Sequence, residues 1–188
     1  MLKFAIQTND TAPEASRANL LAVEKAWGFA PNLIRTFANS PAVIEGAWAL
    51  LTAFSKTRFT PAEQQLIALA ISVENECGYC AAAHSLMGKG AGLSDAELAA
   101  TRAGQAVTEP KHEALRRFAT VVTATRGNPT TKDIEAFLAA GYDQTAILEV
   151  ILGVATKTLM NYTDHVAEVQ LDDAFKATAW KPELKKAA

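Results

Sequence analysis

Apolar residues recur along most of the chain at three- and four-residue spacing, the period of a helix with one buried face, and no strand-length alternation interrupts them. Residues 1–12 read as an extended lead-in. Over residues 13–27, Ala18, Leu21, Ala22 and Ala26 form the first stripe, and Gly28 ends it. Trp27 and Phe29 are expected in the core, ahead of the alternative that they line a pocket. A short helix follows Pro31-Asn32, and Ser40-Pro41 opens the next, over residues 41–55. Thr60-Pro61-Ala62-Glu63 is a capping box with proline at the first helical position. The helix it opens is polar only at Ser72 between Leu66 and Val73, as suits a central helix buried all round.

Farther on, Gly88-Lys89-Gly90-Ala91-Gly92 is expected to break the chain, and Ser94-Asp95-Ala96-Glu97 is a second capping box. Pro110 opens a helix with Leu115, Phe118 and Val122 inward and His112 on a solvated face. Gly127-Asn128-Pro129 is a turn, after which Thr130-Thr131 caps a helix that ends at Gly141. Asp143 caps a last long helix, residues 144–168, with Ile147, Val150, Ile151 and Val154 on the buried stripe. Beyond residue 173 the chain reads as a variable, loosely ordered tail, Lys181-Pro182 and the basic end included.

This pattern predicts an all-α fold of about eight helices in one domain, residues 1–188. Composition agrees: 49% of residues are hydrophobic and 20% charged, which suits a packed globule. A net charge of −2 gives no electrostatic basis for binding nucleic acid or an anionic membrane. No apolar run approaches the roughly 18 residues of a membrane span, and the N-terminus lacks an apolar region with a cleavage site. Two cysteines in Cys-x-x-Cys spacing suit catalytic thiols in a reducing compartment, so a cytoplasmic location is expected. Several helices are apolar over more than one face, which points to a homo-oligomer.

The chemistry concentrates in Glu74-Asn75-Glu76-Cys77-Gly78-Tyr79-Cys80-Ala81-Ala82-Ala83-His84. On a helix, Cys77, Cys80 and His84 share one face. Gly78 permits a tight turn and Ala81-Ala82-Ala83 favours helix, so the thiols sit in a first turn, where free N–H groups favour thiolate. A thiolate, a second thiol and an imidazole one turn on can run reversible thiol–disulfide chemistry. Packing cysteines and a three-ligand zinc site are the alternatives. No second cysteine pair completes a structural zinc site, and His112 and His165 lie far off in sequence. In Asn161-Tyr162-Thr163-Asp164-His165, a surface or oligomer contact competes with Tyr162 or His165 facing the thiols.

The pattern Cys-x-Tyr-Cys-x-x-x-His, preceded by Leu66-Ile67-Ala68-Leu69-Ala70-Ile71-Ser72, resembles the core of the alkyl hydroperoxidase D (AhpD)-like group within the carboxymuconolactone decarboxylase superfamily. Gly28-Phe29-Ala30-Pro31-Asn32 with Ser40-Pro41, and Ala140-Gly141-Tyr142 with the helix running to Asn161-Tyr162, are similar to the family's outer segments, so the resemblance covers roughly residues 25–168. It implies a helical, homo-oligomeric peroxidase, trimer or hexamer, that needs no metal or other cofactor. Its substrate would be hydrogen peroxide or an alkyl hydroperoxide, and an unidentified dithiol would regenerate it. By the same resemblance Cys80 is oxidised to a sulfenic acid, Cys77 resolves it to a disulfide, and His84 helps deprotonate Cys80. The family relay also uses a glutamate twelve residues before the first cysteine, where this chain has Gln65. An amide cannot take a proton from a thiol and only orients its neighbours. Glu63 and Glu74 are nearby acids that could substitute, although Glu63 reads more strongly as a cap and Glu74 equally as a solvated face. Two other functions compete with the peroxidase: a decarboxylase or lactone-processing enzyme, and a non-enzymatic thiol redox sensor.

Overall fold

The computed structural model describes residues 4–182 and is all-helical over them. Nine α-helices follow in order: α1 Glu14–Trp27, α2 Asn32–Phe37, α3 Pro41–Phe54, α4 Pro61–Glu74, α5 Gly78–Gly90, α6 Asp95–Arg102, α7 Pro110–Ala124, α8 Thr131–Ala139 and α9 Gln144–Ala167. A 3-10 helix, Asp173–Thr178, closes the described chain. No single helix among the described residues is long and apolar enough to cross a membrane.

The capping chemistry accounts for the helix starts. Thr60, Ser94 and Thr130 each accept from the backbone N–H three residues on, and Glu63, Glu97 and Asp133 close the reciprocal bond. Asp143 caps α9 through Ala146 N–H. Glu63 is therefore a cap; it also accepts from the Tyr142 hydroxyl at 2.8 Å.

Helix α4 is the centre of the bundle, packed against α5, α6, α7 and α9. Its run Leu66–Ser72 is buried on every face. Around it lie two apolar clusters. One joins α4 and α7 to Phe137 and Tyr142, with Phe118, Phe137 and Tyr142 stacked in series. The other joins α1, α2 and α3 to the first half of α5 and includes both cysteines. Helix α9 crosses α3 and α4 so closely that a Cβ on Gly153 would stand 2.9 Å from Phe54 and 3.0 Å from Ile67.

Several expectations are corrected. Helix α1 buries Ser16, Leu20 and Val23, while Leu21 and Ala18 face solvent, because an alanine-rich helix carries two adjacent apolar stripes and the bulkier side chains turn inward. Ile151 is likewise exposed on α9. Helix α5 runs through Gly88 and breaks only after Gly90. Leu93 and Leu98 pack onto Gly88 so closely that a Cβ there would stand 3.0 Å from each. His112 meets the Glu97 carboxylate at 2.6 Å and ties α7 to α6. Residues 168–182 are docked on the body: Phe175 is buried against Phe29 and Tyr79, and Thr178 donates to Ala82 O. The rest of the basic end lies outside the described residues.

Candidate active site

After α4 the chain turns through Asn75 and Glu76, the latter in the left-handed region at φ 58°, and Cys77 N–H returns to Ser72 O at 2.9 Å. That turn sets Cys77 as the N-cap of α5, where its sulfur accepts from Cys80 N–H at 3.3 Å. Both thiols are free and buried, Cys77 at 0% exposure and Cys80 at 2%. Alanines 81, 82 and 83 are buried as well; short side chains let the neighbouring elements close over this turn.

His84 lies one turn after Cys80, as expected, but both of its nitrogens are engaged elsewhere. Nδ1 is 2.8 Å from Gln65 Oε1, and Nε2 is 2.7 Å from Lys157 Nζ. An ammonium only donates, so Nε2 accepts and Nδ1–H donates to the amide oxygen. Gln65 thereby fixes a neutral imidazole. Burial, and then the Lys157 ammonium, hold the His84 pKa well below its ordinary value.

The side chains that complete the site come from α9. Lys157, Met160, Asn161 and Asp164 are spaced i, i+3, i+4 and i+7, one face of a helix, and that face points at the thiols. Lys157 is 3% exposed and also touches Met160 Sδ at 3.5 Å. Asn161 is held by Ser72 and Asn75. Asp164 Oδ2 accepts from Cys77 Sγ at 3.2 Å. Tyr162 and His165 are exposed and stacked on each other; neither lines the Cys80 cavity, and His165 borders a second recess beside Asp164.

These neighbours make the two sulfurs unequal. The Cys77 thiol, the Lys157 ammonium and the Asn161 amide stabilise a Cys80 thiolate, and its pKa drops to about 7 despite full burial. The hydrogen bond to Cys80, burial and the Asp164 carboxylate all push the Cys77 thiol up. Cys80 is therefore the more acidic thiol of the pair and Cys77 the one held protonated.

Cys80 forms part of the wall of a cavity of about 460 Å³. Trp27, Phe29, Leu33, Phe54, Met87 and Phe175 make that cavity apolar, and Gln65, His84 and Lys157 stand beside the thiol. Trp27 and Phe29, at 43% and 40% exposure, are at this cavity and outside the core, which corrects the sequence expectation. The aromatic wall is completed by the C-terminal segment. Tyr79 donates to the Asp172 carboxylate, which also takes the α2 N–H of Asn32 at 3.1 Å. Among the described residues no group of three or more His, Cys, Asp and Glu is arranged to hold a metal. At His84 the Lys157 ammonium takes the lone pair that a metal would need.

The family model described as "Carboxymuconolactone decarboxylase family" matches residues 41–124, from the start of α3 to the end of α7. No curated protein matches the chain by sequence. Among solved structures, the AhpD core of an uncharacterised peroxidase-related protein from Ralstonia eutropha JMP134 superposes with a TM-score of 0.82 at 22% identity, over 92% of this chain and 93% of that one. A cysteine-to-alanine variant of the debrominase Bmp8 in complex with 2,3,4-tribromopyrrole gives 0.79 at 18% identity, covering 95% of each chain. An uncharacterised peroxidase-related protein from Silicibacter sp. TM1040 gives 0.78 at 15% identity, over 93% and 92%. The matched segment holds Gln65, Cys77, Cys80 and His84, whereas Lys157, Asn161 and Asp164 lie beyond it. The chain thus matches the carboxymuconolactone decarboxylase family model over residues 41–124 and has an all-α fold similar to that of the AhpD core.

Proposed function

We propose that the protein is a two-cysteine thiol peroxidase that reduces hydrogen peroxide or alkyl hydroperoxides. The observation that carries this reading is the asymmetry of the thiols: Cys80 is the acidic one and opens on an apolar cavity, with Cys77 behind it at the N-cap. In the first step the Cys80 thiolate attacks the terminal peroxide oxygen. The O–O bond breaks, the alkoxide leaves with a proton as the alcohol, and Cys80 is left as a sulfenic acid. Cys77 then displaces the hydroxyl as water, forming the Cys77–Cys80 disulfide. A dithiol reductant returns the pair to the reduced state. Lys157 holds the thiolate by charge; His84 and Gln65 act through Lys157, fixing its ammonium beside the sulfur. Homo-oligomer formation is part of the reading, supported by Leu148, Ile151, Tyr162 and Val166 exposed along α9.

The test uses two variants. Cys80→Ser is expected to consume no peroxide, and Cys77→Ser to stop at a sulfenic acid that dimedone labels on Cys80. Undiminished turnover in both variants contradicts the mechanism, and turnover of a carboxylate substrate by Cys80→Ser supports a decarboxylase instead.

A second reading is favoured by the aromatic cavity wall of Trp27, Phe29 and Phe175 together with the bromopyrrole bound by a protein of the same fold. The same dithiol carries two electrons, enough to convert a halogenated ring and two thiols to the dehalogenated ring, halide, a proton and the disulfide. Halide release from a bromopyrrole with loss of two thiols per chain, and no response to peroxide, selects it.

A further inference from the structure

Forming the disulfide requires Cys77 to give up a proton, and the surroundings of Cys77 oppose this. The thiol is fully buried and held protonated by its neighbours. On the side of the apolar cavity nothing near it is a base. Gln65 is an amide, the His84 lone pair is filled by Lys157, and Lys157 is a cation. The carboxylate of Asp164 lies on the other side, 3.2 Å from Cys77 Sγ.

Asp164 is held in place for that contact. It sits on the α9 face that carries Lys157 and Asn161, and the backbone N–H groups of Tyr79 and Val169 favour its charged form. It also has its own exit. Asp164 lines a second recess of about 610 Å³, bounded by Gly78, His165, Glu168, Trp180 and Lys181, whereas Cys80 lines only the first cavity. The two thiols thus communicate with different spaces, Cys80 with the apolar cavity and Cys77 through Asp164 with a recess bordered by His165, Glu168 and Lys181.

We infer that Asp164 is the general base of the resolving step and the port through which the Cys77 proton leaves. The inference rests on the peroxidase reading and assigns that reading a residue outside the matched family segment. With Cys80 as the sulfenic acid, Asp164 Oδ2 takes the proton from Cys77 Sγ. The sulfur–sulfur bond forms and the Cys80 S–O bond breaks. The departing hydroxide takes a proton from the Lys157 ammonium and leaves as water; Lys157 recovers a proton from water in the cavity, and Asp164 releases its own into the recess. The sum is one thiol and one sulfenic acid giving a disulfide and water. The groups that set when Asp164 can accept are Cys77, the two backbone N–H groups, the adjoining His165 imidazole, and Glu168 and Lys181 on the rim of the recess.

The test separates resolution from peroxide reduction. Reduced full-length protein is mixed with excess millimolar hydrogen peroxide, small enough to enter the cavity and able to oxidise a thiolate even without catalytic help. Samples quenched over time are assayed for dimedone-labelled Cys80 and for the disulfide. In the wild type the resolution rate rises with pH as Asp164 ionises and then levels off. Asp164→Asn keeps the acceptor geometry but takes no proton, so its sulfenic acid accumulates, resolution slows roughly a hundredfold, and the rate climbs about tenfold per pH unit as hydroxide takes over. An Asp164→Asn protein that resolves at the wild-type rate with the wild-type profile overturns the inference. So does a wild-type rate that never levels off up to pH 9, a result that needs no variant. Failure of the peroxidase reading looks different: Cys80 itself is oxidised in both proteins no faster than a free thiol.

Discussion

An ammonium at 3% exposure needs a counter-charge, and among the described residues Lys157 forms no ion pair; its contacts are His84 and Met160. A Cys80 thiolate would supply that charge: after the hydrogen bond from Cys77, the Lys157 ammonium is the group that most favours ionised Cys80. The sign of the pH dependence follows. With a thiol pKa near 7, thiolate is depleted as pH falls below 7 and saturates above it. The rate of peroxide-driven thiol loss is therefore expected to rise through pH 7 and flatten by pH 8 to 9. Replacing Lys157 by Met keeps the stem and removes the charge. The whole profile should move to higher pH; a shift of about one pKa unit means a loss of about fivefold at pH 7 and about tenfold below pH 6. A pH scan of oxidation by stopped flow checks this, and an unmoved profile in Lys157→Met removes Lys157 from the account.

At the scale of elements, α9 does two jobs along one helix. Its first half is packing: Gly153 lets α9 approach Phe54 of α3 and Ile67 of α4 at distances that leave no room for a methyl group. Gly153→Ala is expected to cost roughly 1–3 kcal/mol, read as a drop of several degrees in the thermal midpoint, and an unchanged midpoint contradicts the close crossing. Its second half is chemistry, and here the sequence was only partly legible. Cys77, Cys80 and His84 could be found because their relation is local, fixed by spacing within one helix. Gln65 stood out through the resemblance, and in the structure its amide oxygen meets His84. The α9 residues relate to the thiols only through tertiary packing. The segment Asn161–His165 drew attention, but Tyr162 and His165 are exposed, and Asn161 and Asp164 face the thiol turn. The available signal was Lys157, a charge inside an otherwise apolar stretch, with Asn161 and Asp164 at i+4 and i+7. In α1 the period itself was ambiguous, since Leu20 and Val23 share the helix with a second apolar stripe through Ala18 and Leu21.

On the scale of the whole molecule, the thiol turn is shut between two layers. α4 and its apolar cluster lie behind it, while α1–α3 and the C-terminal segment close the front. Phe175 wedged between Phe29 and Tyr79, and Asp172 joining Tyr79 to the start of α2, make the last described residues a wall of the cavity. This enclosure shields Cys80 from water and strengthens the effect of Lys157 on it, while the cavity lined by Trp27 and Phe29 gives access to the thiol. The measurement that tests the account most directly is the rate at which reduced protein loses thiols when an alkyl hydroperoxide is added, with the product located by peptide mapping. The account predicts loss of two thiols per chain as a Cys77–Cys80 disulfide, orders of magnitude faster than a free thiol reacts. Thiols that stay reduced, or that oxidise no faster than a free thiol, would contradict it.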